Sequence, residues 1–409
     1  MKKIALLAIS VVTTFAATAQ SAVVKEAERA MKGGKEAKEV VSIITPALTN
    51  TETANLAQTW YIPGKASMNQ YDNLSGLKAL GKLPAGAEVL MANLILDAYK
   101  YYDKVLPLDS LPDAKGKVKP KYSKEIYGTL AGHINDYIES GITFFDANDY
   151  ENAYRSFEVY NKLPDYPEIR KLLEQNGTMP TDSMRSVISY NQGIAAYQAK
   201  NLENALNSFL TAKKLDPSEK KPYDFAIQVA TELDKQDVIL ELAEEAHPRF
   251  GEGEPAYMKM IVNYYLQNGD LDKAFEIINQ AIEIDPNVPD YYIVLGVLYE
   301  NADNRLAAKD AYKKVVDLDP NHAIGVYYYG RQVYEDACAL IDNSPTRQEE
   351  FNEYYATKIK PVLEESAQIL ENAYSLDPDN TDILKYLENV YYSLNDEKML
   401  DDVKKRLEY

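Results

Sequence analysis

A period of 34 residues constrains the fold of this chain more than any other sequence feature. It is clearest from Pro255 to His322, where two units lie end to end and close on Asp285-Pro286 and Asp319-Pro320. Within each unit, apolar residues recur at offsets of three and four, which places one apolar stripe on each of two helices. The closing proline cannot continue a helix. Each unit is therefore predicted to be a helical hairpin that must stack on its neighbours to bury its apolar faces.

The two units agree position by position. Counted from Pro289, positions 4, 7, 8, 11, 20, 24, 27 and 32 of the second unit are Tyr292, Leu295, Gly296, Tyr299, Ala308, Tyr312, Val315 and Pro320. Counted from Pro255, the same positions of the first unit are Met258, Ile261, Val262, Tyr265, Ala274, Ile278, Ala281 and Pro286. Small residues at positions 8 and 20 allow two antiparallel helices to approach closely. Val262 is larger than Gly296, its counterpart at position 8 of the second unit, which predicts slightly wider packing in the first unit.

This spacing and residue set resemble the tetratricopeptide repeat (TPR) family. The resemblance implies an all-α fold, a right-handed superhelical solenoid of antiparallel helix pairs that serves as a binding scaffold. Further units are predicted to start at Ile134, with Gly141 and Phe157 at positions 8 and 24, and at Ser186, with Gly193 and Phe209. We expect an irregular, degenerate helical region at 20–121, followed by the repeat array at 122–409 with insertions at about 168–185 and 342–360.

Residues 1–19 are predicted to be a cleavable signal peptide. Lys2 and Lys3 precede an apolar stretch that is too short to span a bilayer, and Ala17-Thr18-Ala19 is a typical cleavage pattern. No cysteine for a lipid anchor lies nearby, and no later run is long and apolar enough to cross a membrane. We therefore expect an exported protein, secreted or periplasmic in a Gram-negative bacterium, without membrane insertion.

Between the leader and the repeats, prolines and glycines predict several breaks. We expect a helix from about Glu52 to end near Pro63-Gly64, followed by an irregular stretch at 63–87 with a short helical piece around Leu74 to Leu80. A long helix is predicted from Glu88 to Lys104. The lysine- and proline-rich stretch from Val105 to Tyr122 is predicted to be a loop.

The composition excludes several classes of function. The formal net charge of −19 argues against nucleic-acid or anionic-membrane binding through a basic patch. Cys338 is the single cysteine, so an intrachain disulfide cannot form.

No motif predicts catalysis, a cofactor or a metal site. The three histidines are far apart, and Leu83 stands where a phosphate-binding loop needs Ser or Thr after its lysine. The segment 146–149 resembles the start of a calcium loop, but Tyr150 and Glu151 occupy its fifth and sixth positions. We interpret it as a turn between two helices, and we expect a protein that is not an enzyme.

The resemblance places a binding groove on the first helix of each repeat, at positions 2, 5, 6, 9, 12 and 13. Carried over, these positions give the candidate partner-binding residues Tyr190, Asn191, Tyr197, Lys259, Asn263, Tyr327, Arg331 and Tyr334. Lys259 and Asn263 also match a carboxylate clamp that holds a peptide C-terminus in some TPR proteins. Val294, Ile324 and Tyr328 stand where that clamp needs polar or basic residues, so the match is partial.

The first hypothesis is a non-catalytic scaffold that binds a protein or peptide, with tyrosines supplying contact area at low entropic cost. The alternative is a carbohydrate-binding component of an outer-membrane uptake system, because some such proteins contain TPR-like helices and tyrosine stacks on sugar rings.

Overall fold

Every element of the described structure is helical. The computed structural model describes residues 21–112, 115–251 and 255–407, and within these ranges the backbone forms helices and turns, with an isolated bridge between Pro112 and Val118. The predicted all-α, TPR-type architecture is confirmed. The predicted signal peptide at 1–19 lies outside the described residues. The chain divides into two compact units, Met1–Asp234 and Lys235–Tyr409. The predicted boundary at 121/122 stays a prediction.

Among the described residues of unit 1, the first helix is α1 at 21–32. It continues with α2 (Ala37–Thr49), α3 (Ala57–Ala79), α4 (Ala87–Asp109), α5 (Ser123–Gly132), α6 (Asp136–Asp146), α7 (Tyr150–Lys162), α8 (Pro167–Asn176), α9 (Asp182–Gln198), α10 (Leu202–Leu215) and α11 (Lys220–Glu232). A 3₁₀ turn, Leu163–Asp165, follows α7. The pairs α3/α4, α6/α7 and α9/α10 pack against each other as helical hairpins.

Unit 2 contains ten α-helices among its described residues. They are α12 (Gln236–Phe250), α13 (Ala256–Gln267), α14 (Leu271–Ile284), α15 (Pro289–Asn301), α16 (Arg305–Leu318), α17 (Ala323–Asp342), α18 (Gln348–Tyr354), α19 (Lys360–Leu376), α20 (Thr381–Leu394) and α21 (Glu397–Leu407). A π-helical segment, Tyr355–Ile359, joins α18 to α19. The hairpins are α13/α14, α15/α16, α17/α19 and α20/α21.

The same contact closes three of the hairpins. A methyl group added at Gly296 would lie 2.7 Å from Cδ1 and Cζ of the Tyr312 ring. Equivalent additions at Gly141 and Gly193 would lie 2.7 Å from the Cδ1 atoms of Phe157 and Phe209, respectively. Glycine at position 8 therefore makes room for an aromatic ring at position 24, which confirms the predicted repeat register.

The unit with Val262 has a different pair of side chains at positions 8 and 24. Its position 24 is Ile278, which has no ring, and both side chains are fully buried in one apolar cluster. The larger residue at position 8 is matched by a smaller one at position 24. A valine is accommodated at position 8 because no aromatic ring at position 24 occupies the space beside it.

The turns between paired helices also repeat. A residue with positive φ precedes the N-cap of the second helix at Asn148, Lys200, Gly269 and Asp303. The next residue, Asp149, Asn201, Asp270 or Asn304, accepts a hydrogen bond from the backbone N–H three positions on. Such caps satisfy orphan donors of the helix terminus. Asp149 therefore has a helix-capping role, as the interpretation of 146–149 as a turn predicts.

The prediction of a helix break at Pro63-Gly64 is wrong. Helix α3 runs through both residues to Ala79, so 63–87 is mostly helical. The reason is packing. Gly64 faces Tyr102 of α4, whose ring carbons would lie 2.9 Å from an added methyl group. This contact is equivalent to the one between positions 8 and 24 of the repeats, although a longer stretch of chain separates the two residues. Burial of the Tyr102 ring outweighs the tendency of Pro63 to end a helix.

The predicted loop at 105–122 starts too early, because α4 continues through Pro107 to Asp109. The buried Asp109 carboxylate accepts hydrogen bonds from the backbone N–H groups of Lys121, Tyr122 and Ser123 and from Ser123 Oγ, at 2.7–3.0 Å. Burial raises the pKa of this carboxyl, but these hydrogen bonds outweigh burial and hold the pKa below its usual value. Asp109 thereby ties the end of α4 to the start of α5.

Candidate functional site

Successive first helices form one continuous surface in unit 2. Helix α13 contacts α15, α15 contacts α17, and α17 contacts α20. We call their solvent-facing side the A-helix face. Two large apolar side chains are exposed on these helices, Ile324 at 49% and Tyr392 at 76%. Single exposed apolar side chains are common on protein surfaces, so these two do not by themselves define a binding site.

Lys259 and Asn263 lie together on α13, but they differ in availability. The Lys259 ammonium forms a salt bridge with Asp290 of α15. His322 Nε2 lies 3.8 Å from the other oxygen of the same carboxylate. Asn263 is exposed. Because Asp290 already neutralises Lys259, a carboxylate clamp at this place would first have to break an existing ion pair.

Three predicted residues come together on α17. Tyr327 is only 9% exposed, and burial raises its pKa to about 12. Burial also raises the pKa of Tyr334 to about 12. Both rings contact Tyr386 of α20, with centroids 5.9 and 6.1 Å away. Tyr327 therefore belongs largely to the core, and the half-buried Tyr334 and Tyr386 offer surface to a partner.

Arg331 is the charged centre of this cluster. Its guanidinium forms a salt bridge with Glu300 of α15 and lies 4.9 Å from the centroid of the Tyr328 ring. The neighbouring Gln332 Nε2 also donates to Glu300. The candidate residues omitted Glu300, Gln332 and Tyr386. Tyr386 could have been found, because it stands at position 6 of a unit counted from Thr381.

In unit 1, the three predicted residues share helix α9 but lie in different surroundings. The half-buried Tyr190 ring packs against Phe209 and Phe225, with centroids 5.7 and 5.5 Å away. Asn191 lines a cavity of ≈190 Å³ with residues of α6 and α7. The Tyr197 hydroxyl donates to Glu232 Oε1 at 2.6 Å, and this hydrogen bond raises the Tyr197 pKa. The partner-binding role of all eight residues stays a prediction.

A larger cavity of ≈560 Å³ lies between α4 and α7. Its lining includes Tyr99, Asn93 and Asn152 together with seven charged side chains of both signs. Lys162 Nζ lies 5.7 Å from the centroid of the Tyr99 ring, and Tyr137 contacts the same ring edge-on. These helices are the second members of their hairpins, so this cavity lies away from the predicted groove.

The charge is divided very unevenly along the chain. Residues 235–409 contain 35 Asp and Glu against 17 Lys and Arg, a formal net charge of −18. Residues 1–234 contain 28 against 27, a net charge of −1. The net charge of the protein therefore resides almost entirely in unit 2.

Neither a metal-ligand cluster nor a candidate membrane-spanning helix occurs among the described residues. In the ranges 21–112, 115–251 and 255–407, no group of three or more His, Cys, Asp or Glu side chains is arranged to hold a metal ion. No helix within the same ranges combines the length and apolarity needed to cross a membrane.

Comparison with known proteins identifies the repeats. The sequence model of the tetratricopeptide repeat family matches residues 260–288 and 289–322, so these stretches are tetratricopeptide repeats. Interferon-induced protein with tetratricopeptide repeats 2 of Cricetulus griseus is 23% identical over 164 residues, covering 38% of this chain and 34% of that protein. The chain thus spans about a third of the length of that curated relative.

Two solved structures are similar in fold. YrrB, described as a TPR protein with an unusual peptide-binding site, is 19% identical and covers 53% of this chain and 96% of its own, with a TM-score of 0.32. The C-terminal part of a TPR repeat-containing protein from Cytophaga hutchinsonii is 16% identical and covers 65% of this chain and 92% of its own, with a TM-score of 0.39. Tetratricopeptide repeats imply a scaffold for protein or peptide binding.

Proposed function

We propose that this protein is an exported, non-catalytic scaffold that binds a protein or peptide on the A-helix face of unit 2. The observation that carries the proposal is the aromatic cluster around Arg331, which joins Tyr328, Tyr334 and Tyr386 on two successive first helices. Tyrosine and arginine dominate the energetics of protein interfaces, because they bury a large area and still hydrogen-bond. The exposed Ile324 and Tyr392 extend this surface on the same two helices.

Charge supports a protein partner over nucleic acid. The A-helix face belongs to the unit with a net charge of −18, and a nucleic-acid backbone would be repelled by it. The first helices of unit 2 carry three basic residues, Lys259, Arg331 and Lys385, and each is paired with a carboxylate of the chain.

Site-specific photocrosslinking tests the docking face. We would place benzoylphenylalanine at Ile324 or Tyr392, and at Ile284 of α14 as a control, because Ile284 is an accessible apolar side chain, at 85% exposure, on the second helix of a hairpin. After irradiation in a periplasmic extract of the native host, adducts of the same partner should form from Ile324 and Tyr392 and not from Ile284. Adducts that form equally well from Ile284 would refute the assignment of the face.

Export is supported by the leader-like pattern of residues 1–19 and has its own test. Full-length chain expressed in a Gram-negative host should appear in the periplasmic fraction with Gln20 as its first residue. Intact-mass measurement decides the matter, and a cytoplasmic product that retains Met1 contradicts export.

Carbohydrate binding ranks second, and the cavity between α4 and α7 is the observation in its favour. Amide and charged side chains there could bond sugar hydroxyls, but Lys162 and Tyr137 already contact the Tyr99 ring. Glycan-array binding that is lost on Asn93→Ala would reverse the order of the two functions.

A further inference from the structure

A polar cavity of ≈290 Å³ opens on unit 2 between α15, the start of α16 and α17. Six residues line it: Glu300, Asp303, Arg305, Arg331, Gln332 and Glu335. We call it the Gln332 cavity. It adjoins the aromatic cluster, because Arg331 belongs to both.

Two residues that line the cavity have a buried side-chain atom without a hydrogen-bond partner among the described residues: the acceptor Gln332 Oε1 and the donor Arg331 Nε. Gln332 is 2% exposed, and its Oε1 has no hydrogen-bond partner among the described residues. The orientation of the amide is fixed, since Nε2 donates to the Glu300 carboxylate and the reversed amide would place two acceptors together. A buried acceptor left without a donor is costly. The site is therefore suited to a ligand that donates a hydrogen bond.

The charges of both arginines that line the cavity are paired with carboxylates of the chain, and Arg331 Nε is left without a hydrogen-bond partner among the described residues. Arg331 is paired with Glu300. Arg305 donates to the backbone carbonyl of Glu335 and to the Asp336 carboxylate, both at 2.8 Å. Three carboxylates line the cavity against these two paired cations. The lining is thus negative, in the unit that holds almost all of the net charge.

We propose that the Gln332 cavity receives a lysine or arginine side chain of a basic peptide segment bound along the A-helix face. The inference rests on the proposed function and specifies the chemistry of its partner. The incoming cation donates to Gln332 Oε1, and the carboxylates of Asp303 and Glu335 balance its charge. A guanidinium or ammonium group has the several donors that such an arrangement requires. The net charge of unit 2 adds electrostatic steering of a basic segment.

The test uses the full chain and a defined probe, a short labelled Gly-Ser peptide with spaced arginines. Fluorescence anisotropy should show binding of this peptide and of its lysine analogue, and no binding of the analogue with glutamine at the same places. Gln332→Met changes no charge and should weaken binding about tenfold or more, as expected for a lost hydrogen bond to a charged group.

Glu335→Gln, a change at a less buried residue, should also weaken binding about tenfold. Asp310→Asn is the matched control, since it removes one carboxylate from an exposed place on α16 outside the cavity. It should change binding by less than about twofold, because an exposed charge is screened.

Three results overturn the proposal: no binding of the arginine peptide, equal losses for Asp310→Asn and Glu335→Gln, or unchanged binding by folded Gln332→Met. The proposed function would survive each of them if crosslinking from Ile324 and Tyr392 still captured one partner. It would fail separately if both crosslinking positions gave none while the peptide bound.

Discussion

The contact between Gly296 and Tyr312 provides a sharp test of the fold. Replacing glycine by alanine in a helix interior normally stabilises by about 1 kcal/mol, because glycine has the poorer helix propensity. At Gly296 the added methyl would lie 2.7 Å from two carbons of the fully buried Tyr312 ring. Carbon atoms pack at about 3.5–4.0 Å, so the ring must retreat by roughly 0.8 Å or more into close-packed surroundings. Overpacking of this kind costs about 1–3 kcal/mol.

Gly128 of α5 is the matched control, because nothing lies within 4 Å of a methyl group added there. Gly128→Ala should stabilise α5 by about 1 kcal/mol. The free-energy change for Gly296→Ala should be less favourable than that for Gly128→Ala by about 1–3 kcal/mol, because the overpacking cost is subtracted from the gain in helix propensity. The readout is native-state hydrogen exchange, which gives the opening free energy of each helix hairpin separately.

A second background isolates the cause. In the Tyr312→Ile background, position 24 carries isoleucine, as it does in the unit with Val262. Gly296→Ala should then stabilise the hairpin as much as Gly128→Ala stabilises α5. The coupling between the two sites should be about 1–3 kcal/mol. If Gly296→Ala stabilises the wild-type hairpin as much as Gly128→Ala stabilises α5, the assigned repeat register is refuted.

Two pH-dependent predictions concern unit 1. The pKa of Asp109 is lowered in the fold, so its contribution is present above the unfolded value of about 3.9 and is lost as pH falls below it. Asp109→Asn should therefore lower the urea-unfolding free energy by about 1–3 kcal/mol at pH 7, and the difference should shrink near pH 3. The hydrogen bond to Asp136 raises the pKa of His133, against the opposing effect of burial. The stabilising contribution of His133 is present below the unfolded pKa of about 6.5 and is lost as pH rises through the raised folded pKa. His133→Gln should therefore destabilise the protein at pH 5.5 and have little effect at pH 8.5. An NMR titration in which the pKa of the imidazole is not raised would contradict this prediction.

The sequence predicted the repeats wherever the two helices of a pair are joined by a short turn. Glycine at position 8 and an aromatic residue sixteen places later are then visible at a fixed spacing, as in Gly193 and Phe209. The pair of Gly64 and Tyr102 makes the same contact, but the longer α3 and α4 separate the two residues by 38 positions. A fixed spacing of sixteen residues does not identify such a pair. The prediction for this region therefore depended on the tendency of Pro63 to end a helix. The structure shows that tertiary burial overrides the local signal there.

The position of a residue in the repeat predicts its orientation, but its availability depends on the neighbouring repeat. Lys259 stands at position 5 of one unit and forms a salt bridge with Asp290 at position 2 of the next unit. Its charge is therefore already paired. Position 9 of a later unit is Arg331, and Glu300 of the preceding unit pairs with it. Lys259, which matches part of a carboxylate clamp, and the groove residue Arg331 are thereby both neutralised within the chain. Of these two cations only Arg331 lines the Gln332 cavity, where three carboxylates and the buried, unpartnered Gln332 Oε1 favour a cation over an anion.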